Sequence, residues 1–237
     1  MTLAALVAWS FAMKVVLFGA TGMIGQGVLR ECLLADDVES VLSVSRAPTG
    51  KSHAKLRELI HKDFADFSAI EPELAGYDAC FFCLGISSAG MSEADYTRIT
   101  YDYALAAAKA LVKINPAMTF AYVSGQGTDS TEKSRTMWAR VKGRTENALL
   151  ALPFARVAMF RPGYIQPMHG ATSKTALYRA FYAVLWPLYY VVRAVASGAV
   201  TNTEAVGLAM LALARGRTEQ RILDNAAINA LAAEPSR

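Results

Sequence analysis

The chain has 237 residues, of which 54% are hydrophobic and 19% are charged, and this composition excludes a disordered or fibrous protein. The formal net charge is only +4 with scattered Lys and Arg, which argues against nucleic acid as a partner. Three cysteines are too few and odd in number for a disulfide framework, so we expect a reducing, cytoplasmic location.

The first twelve residues, MTLAALVAWSFA, are apolar but shorter than the roughly 20 residues of a membrane span. They also lack the basic start of a secretion signal. Two interpretations remain open: residues 1–12 are an extension that packs on the domain, or the native start is Met13. Because no repeat or linker follows, residues 1–237 are predicted to form a single domain.

Strand-like and helix-like segments alternate along the chain, and the strand-like segments are almost continuously apolar. This pattern is typical of a parallel sheet that is covered on both faces. We therefore predict an α/β fold, a Rossmann-like doubly wound parallel sheet with helices on both faces and a small apolar helical C-terminal region. The six predicted strands are KVVLFGA, ESVLSVSR, LRELIHKD, YDACFFCLG, MTFAYVSG and FARVAMFRPG.

The segment between the fourth and fifth strands carries clear helix boundaries. Ser92 is a plausible N-cap, and Asn115-Pro116 is expected to end the helix. In the fourth strand, Cys80 and Cys83 form a C-x-x-C pattern, but strand residues three apart point to opposite faces. We expect buried structural cysteines rather than a metal or redox pair.

Three glycines follow the first predicted strand at the spacing G-x-x-G-x-x-G. In such a turn the first glycine permits the bend, the second admits a pyrophosphate, and the third lets the helix approach the strand. The helix N-terminus then offers free N–H groups to phosphate. The turn predicts a dinucleotide site, the alternative being a turn without a ligand. Its expected contacts are Gly19, Thr21, Gly22, Met23, Ile24 and Gly25.

The end of the second strand indicates which dinucleotide binds. NAD-binding proteins tend to place Asp or Glu about 20 residues after the glycines, where the acid binds the ribose hydroxyls. Here the strand ends in Ser45-Arg46 without an acid. Arg46 would pair with a 2′-phosphate and Ser45 could donate to it, with Lys51 and Lys55 adding positive charge. We expect NADP(H) rather than NAD(H), unless Arg46 is a solvated loop residue.

Further cofactor contacts are expected where later strands end. Asp63 follows the third strand, where an acid can accept a hydrogen bond from the adenine amino group or cap a helix. Leu84 and Gly85 follow the fourth strand, and small residues there suit the close approach of a ligand. Pro162 follows the sixth strand and is predicted to border the same site.

Five ordered motifs, GATGMIG, CFFCLG, YVSGQGTD, RVKGRTE and FRPGYIQP, together resemble the atypical short-chain dehydrogenase/reductase family. The nearest branch is that of the NAD(P)H-binding, epimerase-like proteins related to the Tat-interacting protein of 30 kDa. The resemblance covers about residues 14–167 and continues weakly beyond. It implies a serine after the fifth strand that polarises the substrate carbonyl or hydroxyl, and a Tyr-x-x-x-Lys pair on the next helix.

Carried over to this chain, the resemblance assigns the serine to Ser124 and the lysine, which holds the nicotinamide ribose, to Lys142. The tyrosine position holds Trp138, whose indole N–H donates but does not titrate in the useful range. Tyr164 is the first alternative proton donor, because its loop follows the sixth strand. Tyr101 and Tyr103 are others.

Three functions follow from this pattern. The first is an NADP(H)-dependent oxidoreductase that acts on an unidentified small or apolar carbonyl or alcohol. The second is a cofactor-sensing regulatory protein without reductase turnover, which the missing tyrosine favours. The third is a nucleoside-diphosphate-sugar epimerase, for which the chain is short.

The segment 175–200 is rich in aromatic residues, and Pro187 interrupts it. It is predicted to form a lid over an apolar pocket within residues 168–237, a homodimer or membrane-surface helix, or a plain core helix. A peripheral membrane association would follow from the second alternative. His53, His61 and His169 lack metal-ligand spacing, so no metal site is expected.

Overall fold

The computed structural model describes residues 12–173 and 189–234. A seven-stranded sheet, parallel at every pairing, forms the centre of the molecule, and two short strands form a second sheet. The main sheet contains β1 (Met13–Phe18), β2 (Val38–Ser45), β3 (Leu56–Ile60), β4 (Ala79–Phe82), β5 (Thr119–Val123), β6 (Arg156–Phe160) and β9 (Ile222–Leu223). The second sheet contains β7 (Tyr164–Gln166) and β8 (Val200–Asn202).

The strand order in the main sheet is β3-β2-β1-β4-β5-β6-β9. The direction of winding reverses between β1 and β4, and such a switch point leaves a crevice at the carboxyl ends of the strands. The predicted Rossmann-like α/β fold and its six strands are confirmed. The seventh strand, β9, and the small β7–β8 sheet were not predicted.

Among the described residues, six α-helices accompany the strands, in addition to the helical residues 189–195. They are α1 (Met23–Leu34), α2 (Glu93–Thr97), α3 (Tyr103–Ile114), α4 (Met137–Leu150), α5 (Thr203–Ala214) and α6 (Asn225–Ala232). A π-helical segment, Arg98–Asp102, joins α2 to α3. The predicted boundaries hold, because Ser92 Oγ accepts a hydrogen bond from the Asp95 N–H at 3.1 Å and Asn115 is the C-cap of α3.

The sheet has a hydrophobic layer on each face because alternate strand residues point in opposite directions. On one face Val15 and Leu17 of β1 pack in a cluster with residues of α1 and α5. On the other face Val16 and Phe18 belong to a cluster that includes residues of α3. All four side chains are fully buried, so β1 is fixed from both sides.

The three cysteines are reduced within the described structure. Cys32 and Cys80 are buried and Cys83 is partly buried, and none of them forms a disulfide. Burial raises the pKa of each thiol, which keeps it in the unreactive protonated form. The predicted structural role of Cys80 and Cys83 fits this environment.

Part of the aromatic segment 175–200 lies outside the described residues, as do residues 1–11 and therefore most of the N-terminal apolar stretch. The described end of that segment is helical over residues 189–195. Tyr189 is buried there, whereas Val191 and Val195 are exposed. A search for a sufficiently long and apolar membrane-crossing helix found none among the described residues.

Candidate dinucleotide site

The β1–α1 turn is packed too tightly for side chains at two of its glycines. Gly19 has a positive φ of 81°, and a Cβ there would lie 2.6 Å from the carbonyl carbon of Cys83. A Cβ on Gly25 would lie 2.1 Å from the Gly19 oxygen, well inside contact distance. The first glycine thus serves the bend and the third serves the approach of helix to strand, as predicted from their spacing.

The N-terminus of α1 presents backbone donors at this turn. Gly22 is the N-cap with extended backbone and no side chain, and the first turn of α1 contains no acidic residue. The N–H groups of Met23, Ile24 and Gly25 have no partner within the helix, because the carbonyl groups four positions earlier lie before its start. This glycine-lined cradle fits a pyrophosphate, which needs close backbone approach and N–H donors.

The three residues expected at the adenosine end differ in how available their side chains are to a ligand. Arg46 is exposed directly after β2, where the ribose of a dinucleotide would lie. The Ser45 hydroxyl is buried and donates to the Ala47 carbonyl at 2.5 Å, so its proton is already used in the turn. Asp63 is exposed, and its carboxylate accepts from the Ala65 N–H at 3.0 Å.

Lys55 does not join this cluster. Its ammonium donates to the Ala35 carbonyl at 2.7 Å, and Ala35 is the C-cap of α1. It therefore lies at the opposite end of α1 from the glycine turn, so the expectation that it adds charge near Arg46 was wrong. The reason is that Lys55 precedes β3, at the amino edge of the sheet.

The far end of the crevice is bordered by the ends of β4, β5 and β6. Gly85 is exposed and open, since an added Cβ would meet no atom within 4 Å, and Leu84 is half-buried beside it. Pro162 is buried, and its carbonyl oxygen would lie 3.8 Å from a Cβ on Gly125. The predicted contacts at this end thus stand at the carboxyl edge, where a nicotinamide would lie.

Helix α4 carries Trp138, Lys142 and Glu146 on one face, because residues four apart lie above one another on a helix. Lys142 donates a hydrogen bond from its ammonium to the Ser124 carbonyl oxygen. Loss of hydration lowers the pKa of Lys142 to about 8, an effect that the Glu146 carboxylate partly offsets. The lysine is thus a poorly hydrated cation held at the end of β5.

The depressed pKa of Lys142 makes stability depend on pH. Between about pH 8 and 10.5 the unfolded chain carries a proton that the folded chain has lost, so stability rises with pH. From pH 7.5 to 9.5 this group is expected to add about 1–2 kcal/mol to the free energy of unfolding. Urea titrations at both pH values measure it.

Lys142→Met is expected to remove that pH-dependent gain, and Lys109→Met, which replaces an exposed lysine on α3, is expected to keep it. An identical pH dependence in wild type and Lys142→Met would contradict the burial of the ammonium. The difference between the two variants isolates Lys142 from the tyrosines and cysteines that also titrate at high pH.

The Ser124 hydroxyl is engaged inside the protein. The residue is buried, and its Oγ donates to Glu146 Oε1 at 2.5 Å and lies 3.1 Å from the Phe160 carbonyl oxygen. Its backbone carbonyl, by contrast, faces Lys142. The position that opens toward the lysine is Gly125, whose added Cβ would lie 3.9 Å from Lys142 Nζ.

Trp138 covers the loop that follows β5. Its ring carbon Cη2 would lie 3.1 Å from a Cβ on Gly127, so the indole rests against the backbone of that glycine. The side chain is half-buried and one helical turn before Lys142. The indole thus stands at the helical position, one turn before the lysine, that a tyrosine takes in the resemblance.

The alternative tyrosines differ in their surroundings. The Tyr164 hydroxyl donates to Gln166 Oε1 at 2.7 Å, and burial together with Tyr189 raises its pKa. A raised pKa makes the phenol a poorer proton donor than an ordinary tyrosine. Tyr101 lies beneath the Arg144 guanidinium at 4.3 Å, and Tyr103 packs on Phe64 at 6.0 Å between ring centroids.

Two residues of this region were not singled out from the sequence. Glu146 is completely buried, and Arg161 donates to its oxygens from Nε at 3.0 and 3.1 Å and also from Nη2. The spacing Lys142-x-x-x-Glu146 predicts that both residues share one face of the helix. The neighbouring sequence does not show that the Glu146 carboxylate points into the protein. Among the described residues, no three His, Cys, Asp or Glu side chains cluster as a metal site would require.

Solved structures with this fold include dinucleotide complexes. A short chain dehydrogenase family protein from Francisella tularensis has a TM-score of 0.65 at 13% identity, covering 91% of this chain and 98% of that chain. MoeE5 in complex with UDP-glucose and NAD has a TM-score of 0.65 at 16% identity, covering 89% and 75%. At these identities the similarity establishes the fold.

Sequence relatives agree with the expected branch. The protein FMP52-1, mitochondrial, of Scheffersomyces stipitis is 30% identical over 155 residues, which are 65% of this chain and 67% of the relative. The protein HTATIP2 of Rattus norvegicus is 27% identical over 155 residues, 64% of this chain and 62% of the relative. The chain spans about two thirds of the length of these relatives.

The names of the fungal relatives correct one expectation. Several FMP52 proteins similar to this chain, including those of Scheffersomyces stipitis, Meyerozyma guilliermondii and Emericella nidulans, are named as mitochondrial. The cytoplasmic location expected from the cysteine count was therefore wrong. A low cysteine content excludes a disulfide framework, but it does not distinguish one reducing compartment from another.

The family is fixed by the segment that contains the glycine turn and the lysine of α4. Residues 15–142, more than half of the chain, match the sequence profile of the NAD dependent epimerase/dehydratase family. This segment begins in β1 and ends at Lys142, and so contains nearly all of the site described above. The chain belongs to the NAD dependent epimerase/dehydratase family.

Proposed function

We propose that the protein binds NADP(H) in the crevice at the carboxyl ends of β1 and β4, and that it acts as a cofactor-sensing protein rather than as a Ser–Tyr–Lys reductase. The observation that carries this proposal is Trp138 in the helical position one turn before Lys142. A buried serine hydroxyl that already donates to Glu146 supports it.

The glycine turn would hold the pyrophosphate. The first N–H groups of α1 would supply donors, Gly22 leaves room for the ligand, and Gly19 and Gly25 keep the backbone close. The open surface at Gly85 leaves space for the ribose and nicotinamide, and Lys142 would donate to the ribose hydroxyls. The NAD-bound structures that share this fold support a nicotinamide dinucleotide as the ligand.

Arg46 supports the choice of NADP(H) over NAD(H). It is exposed at the end of β2. A guanidinium can pair with the 2′-phosphate through two N–H groups. The residues at the end of β2 include no acid that would accept the hydroxyls of NAD(H). Because the Ser45 proton is used by Ala47, Arg46 is expected to supply most of the discrimination.

At the nicotinamide end the bound dinucleotide would supply or accept a hydride, and the protein must handle the accompanying proton. Lys142 is a cation there, but the indole of Trp138 gives up no proton in the ordinary pH range. The Ser124 hydroxyl is buried and committed to Glu146. The site could therefore bind the dinucleotide, but neither Trp138 nor Ser124 could transfer the proton. This favours a sensing role.

An oxidoreductase is the second candidate, and Tyr164 is the observation that favours it. Its loop begins at Pro162, whose carbonyl oxygen borders Gly125, and Gly125 faces Lys142. The phenol is half-buried and bonded to Gln166. In this candidate Tyr164 would move the proton in place of the residue at 138.

The sensing protein and the oxidoreductase can be distinguished by measuring NADPH oxidation in the presence of a panel of small and apolar carbonyl compounds. For wild type we expect NADPH binding without carbonyl-dependent oxidation above background. Trp138→Tyr is expected to raise carbonyl-dependent oxidation about tenfold or more, because it places a titratable phenol one turn before the Lys142 cation.

Carbonyl reduction by wild type that Tyr164→Phe abolishes would instead establish the oxidoreductase. Tyr77→Phe is the matched control, since it removes a phenol hydroxyl from a buried residue that precedes β4, at the amino edge of the sheet and away from the crevice. Wild-type turnover that survives Tyr164→Phe and is unaffected by Trp138→Tyr would contradict both assignments of the proton donor.

A further inference from the structure

Glu146 is a completely buried carboxylate that the dinucleotide cradle does not use. Such a group is unfavourable unless its charge and lone pairs are satisfied. Here Arg161 donates to both oxygens, and Ser124 Oγ donates to Oε1 at 2.5 Å. The Arg161 guanidinium also donates from Nη2 to Ser130 Oγ, which ties the pair to the loop before α4.

Ser124 connects this ion pair to Lys142. Its N–H donates to the Phe160 carbonyl at 2.8 Å, its hydroxyl donates to Glu146, and its own carbonyl accepts from the Lys142 ammonium. The serine is thus fixed on three sides, one of which is the lysine that faces the crevice.

We propose that Glu146 is a positioning residue for Lys142: together with Arg161 it clamps Ser124, and the carbonyl of Ser124 then holds the lysine ammonium at the nicotinamide end of the site. The inference deepens the proposed function, because the lysine matters only if a dinucleotide binds there. It also gives the Ser124 hydroxyl a structural use in place of the substrate contact expected from the sequence.

The charged and titratable groups around Glu146 come from each element packed against it. Arg161 follows β6, Lys142 is one turn earlier on α4, and the Tyr122 phenol comes from β5. Asp129, on the loop before α4, acts on Arg161. The Glu146 charge raises the pKa of Lys142 against the effect of burial, so a neutral side chain at 146 must lower it further.

Glu146→Gln tests the proposal, because glutamine keeps the volume and an acceptor for Ser124 but removes the charge. Lysine side chains labelled at Cε are titrated by NMR without ligand, with Lys142→Met identifying the resonance. We expect the Lys142 midpoint to fall by about half a pH unit or more. We also expect the Kd for NADPH to rise about three- to tenfold at pH 6 as well as at pH 8, because the lysine is held in a different place whether or not its pKa has moved.

Glu93→Gln is the matched control. It removes an exposed carboxylate that pairs with Arg140, a residue of α4 like Glu146. We expect it to leave both the Lys142 midpoint and the NADPH affinity unchanged. A loss of charge without any change of position would move the titration of Lys142 but leave the NADPH affinity at pH 6, where the lysine is protonated, as in wild type.

Ser124→Ala keeps the proposal testable if Glu146→Gln fails to fold, since it removes the hydroxyl link and leaves Arg161 paired with Glu146. It is expected to shift the midpoint and the affinity in the same direction, by less. An unchanged Lys142 titration in a folded Glu146→Gln or Ser124→Ala protein would overturn the positioning role. If wild type binds no dinucleotide while the titration still shifts in Ser124→Ala, which removes no charge, the proposed function fails and the positioning role stands.

Discussion

Replacing Gly25 with alanine is expected to destabilise the fold and abolish dinucleotide binding together. The new Cβ would lie 2.1 Å from the Gly19 oxygen and 3.0 Å from the Ala20 Cα, and both of these atoms are backbone. Neither can rotate away, so α1 must shift from β1. We expect the free energy of unfolding to fall by about 3 kcal/mol or more, as measured by urea denaturation.

Gly22→Ala is the matched control in the same turn. Its Cβ would lie 3.3 Å from the Gly19 oxygen, and the backbone there is extended, so the fold should remain. The added methyl would instead occupy the space proposed for the pyrophosphate and weaken NADPH binding. A Gly25→Ala protein as stable as wild type, with unchanged NADPH affinity, would contradict the close approach of α1 to β1.

Arg46→Ala is expected to remove the preference for NADPH over NADH. A charge-assisted hydrogen bond to phosphate contributes about 1.5–3 kcal/mol, so the affinity for NADPH should fall about 10- to 100-fold. The affinity for NADH, which lacks the 2′-phosphate, should change little. Titration of both cofactors by protein fluorescence gives the two ratios.

Arg57→Ala controls for the loss of one positive charge. Arg57 is exposed on the edge strand β3 and should leave the cofactor preference intact. Raising the salt concentration should weaken the Arg46 effect, because ions screen an exposed charge pair. Equal losses of NADPH and NADH affinity in Arg46→Ala would show that Arg46 does not contact the 2′-phosphate.

The six main strands were predictable because each is a local apolar run bounded by turns, as in Lys14 to Phe18 of β1. The strand β9 has only two residues, Ile222–Leu223, and forms because it pairs with Met159 and Phe160 of β6. Likewise β7 and β8 are three residues each and pair across 36 positions of sequence, Tyr164 with Val200. Such strands depend on a distant partner rather than on their own sequence.

Among the site residues, too, those fixed by local sequence were predictable and those fixed by distant contacts were not. The roles of Gly19 and Gly25 follow from a turn of seven residues, so their spacing was sufficient to predict them. The orientation of Ser124 was not predictable, because it depends on Glu146, 22 residues later, and on the Phe160 carbonyl, 36 residues later. The position of Lys55 depends on the direction in which the chain enters β3.

The most direct test of the account is a titration of purified wild-type protein with NADPH and with NADH, followed by protein fluorescence and by the absorbance of the reduced nicotinamide with the carbonyl panel present. We expect NADPH to bind more tightly than NADH and the absorbance of NADPH to stay constant. If neither dinucleotide binds at near-millimolar concentration, the glycine turn is structural and the proposed function is wrong.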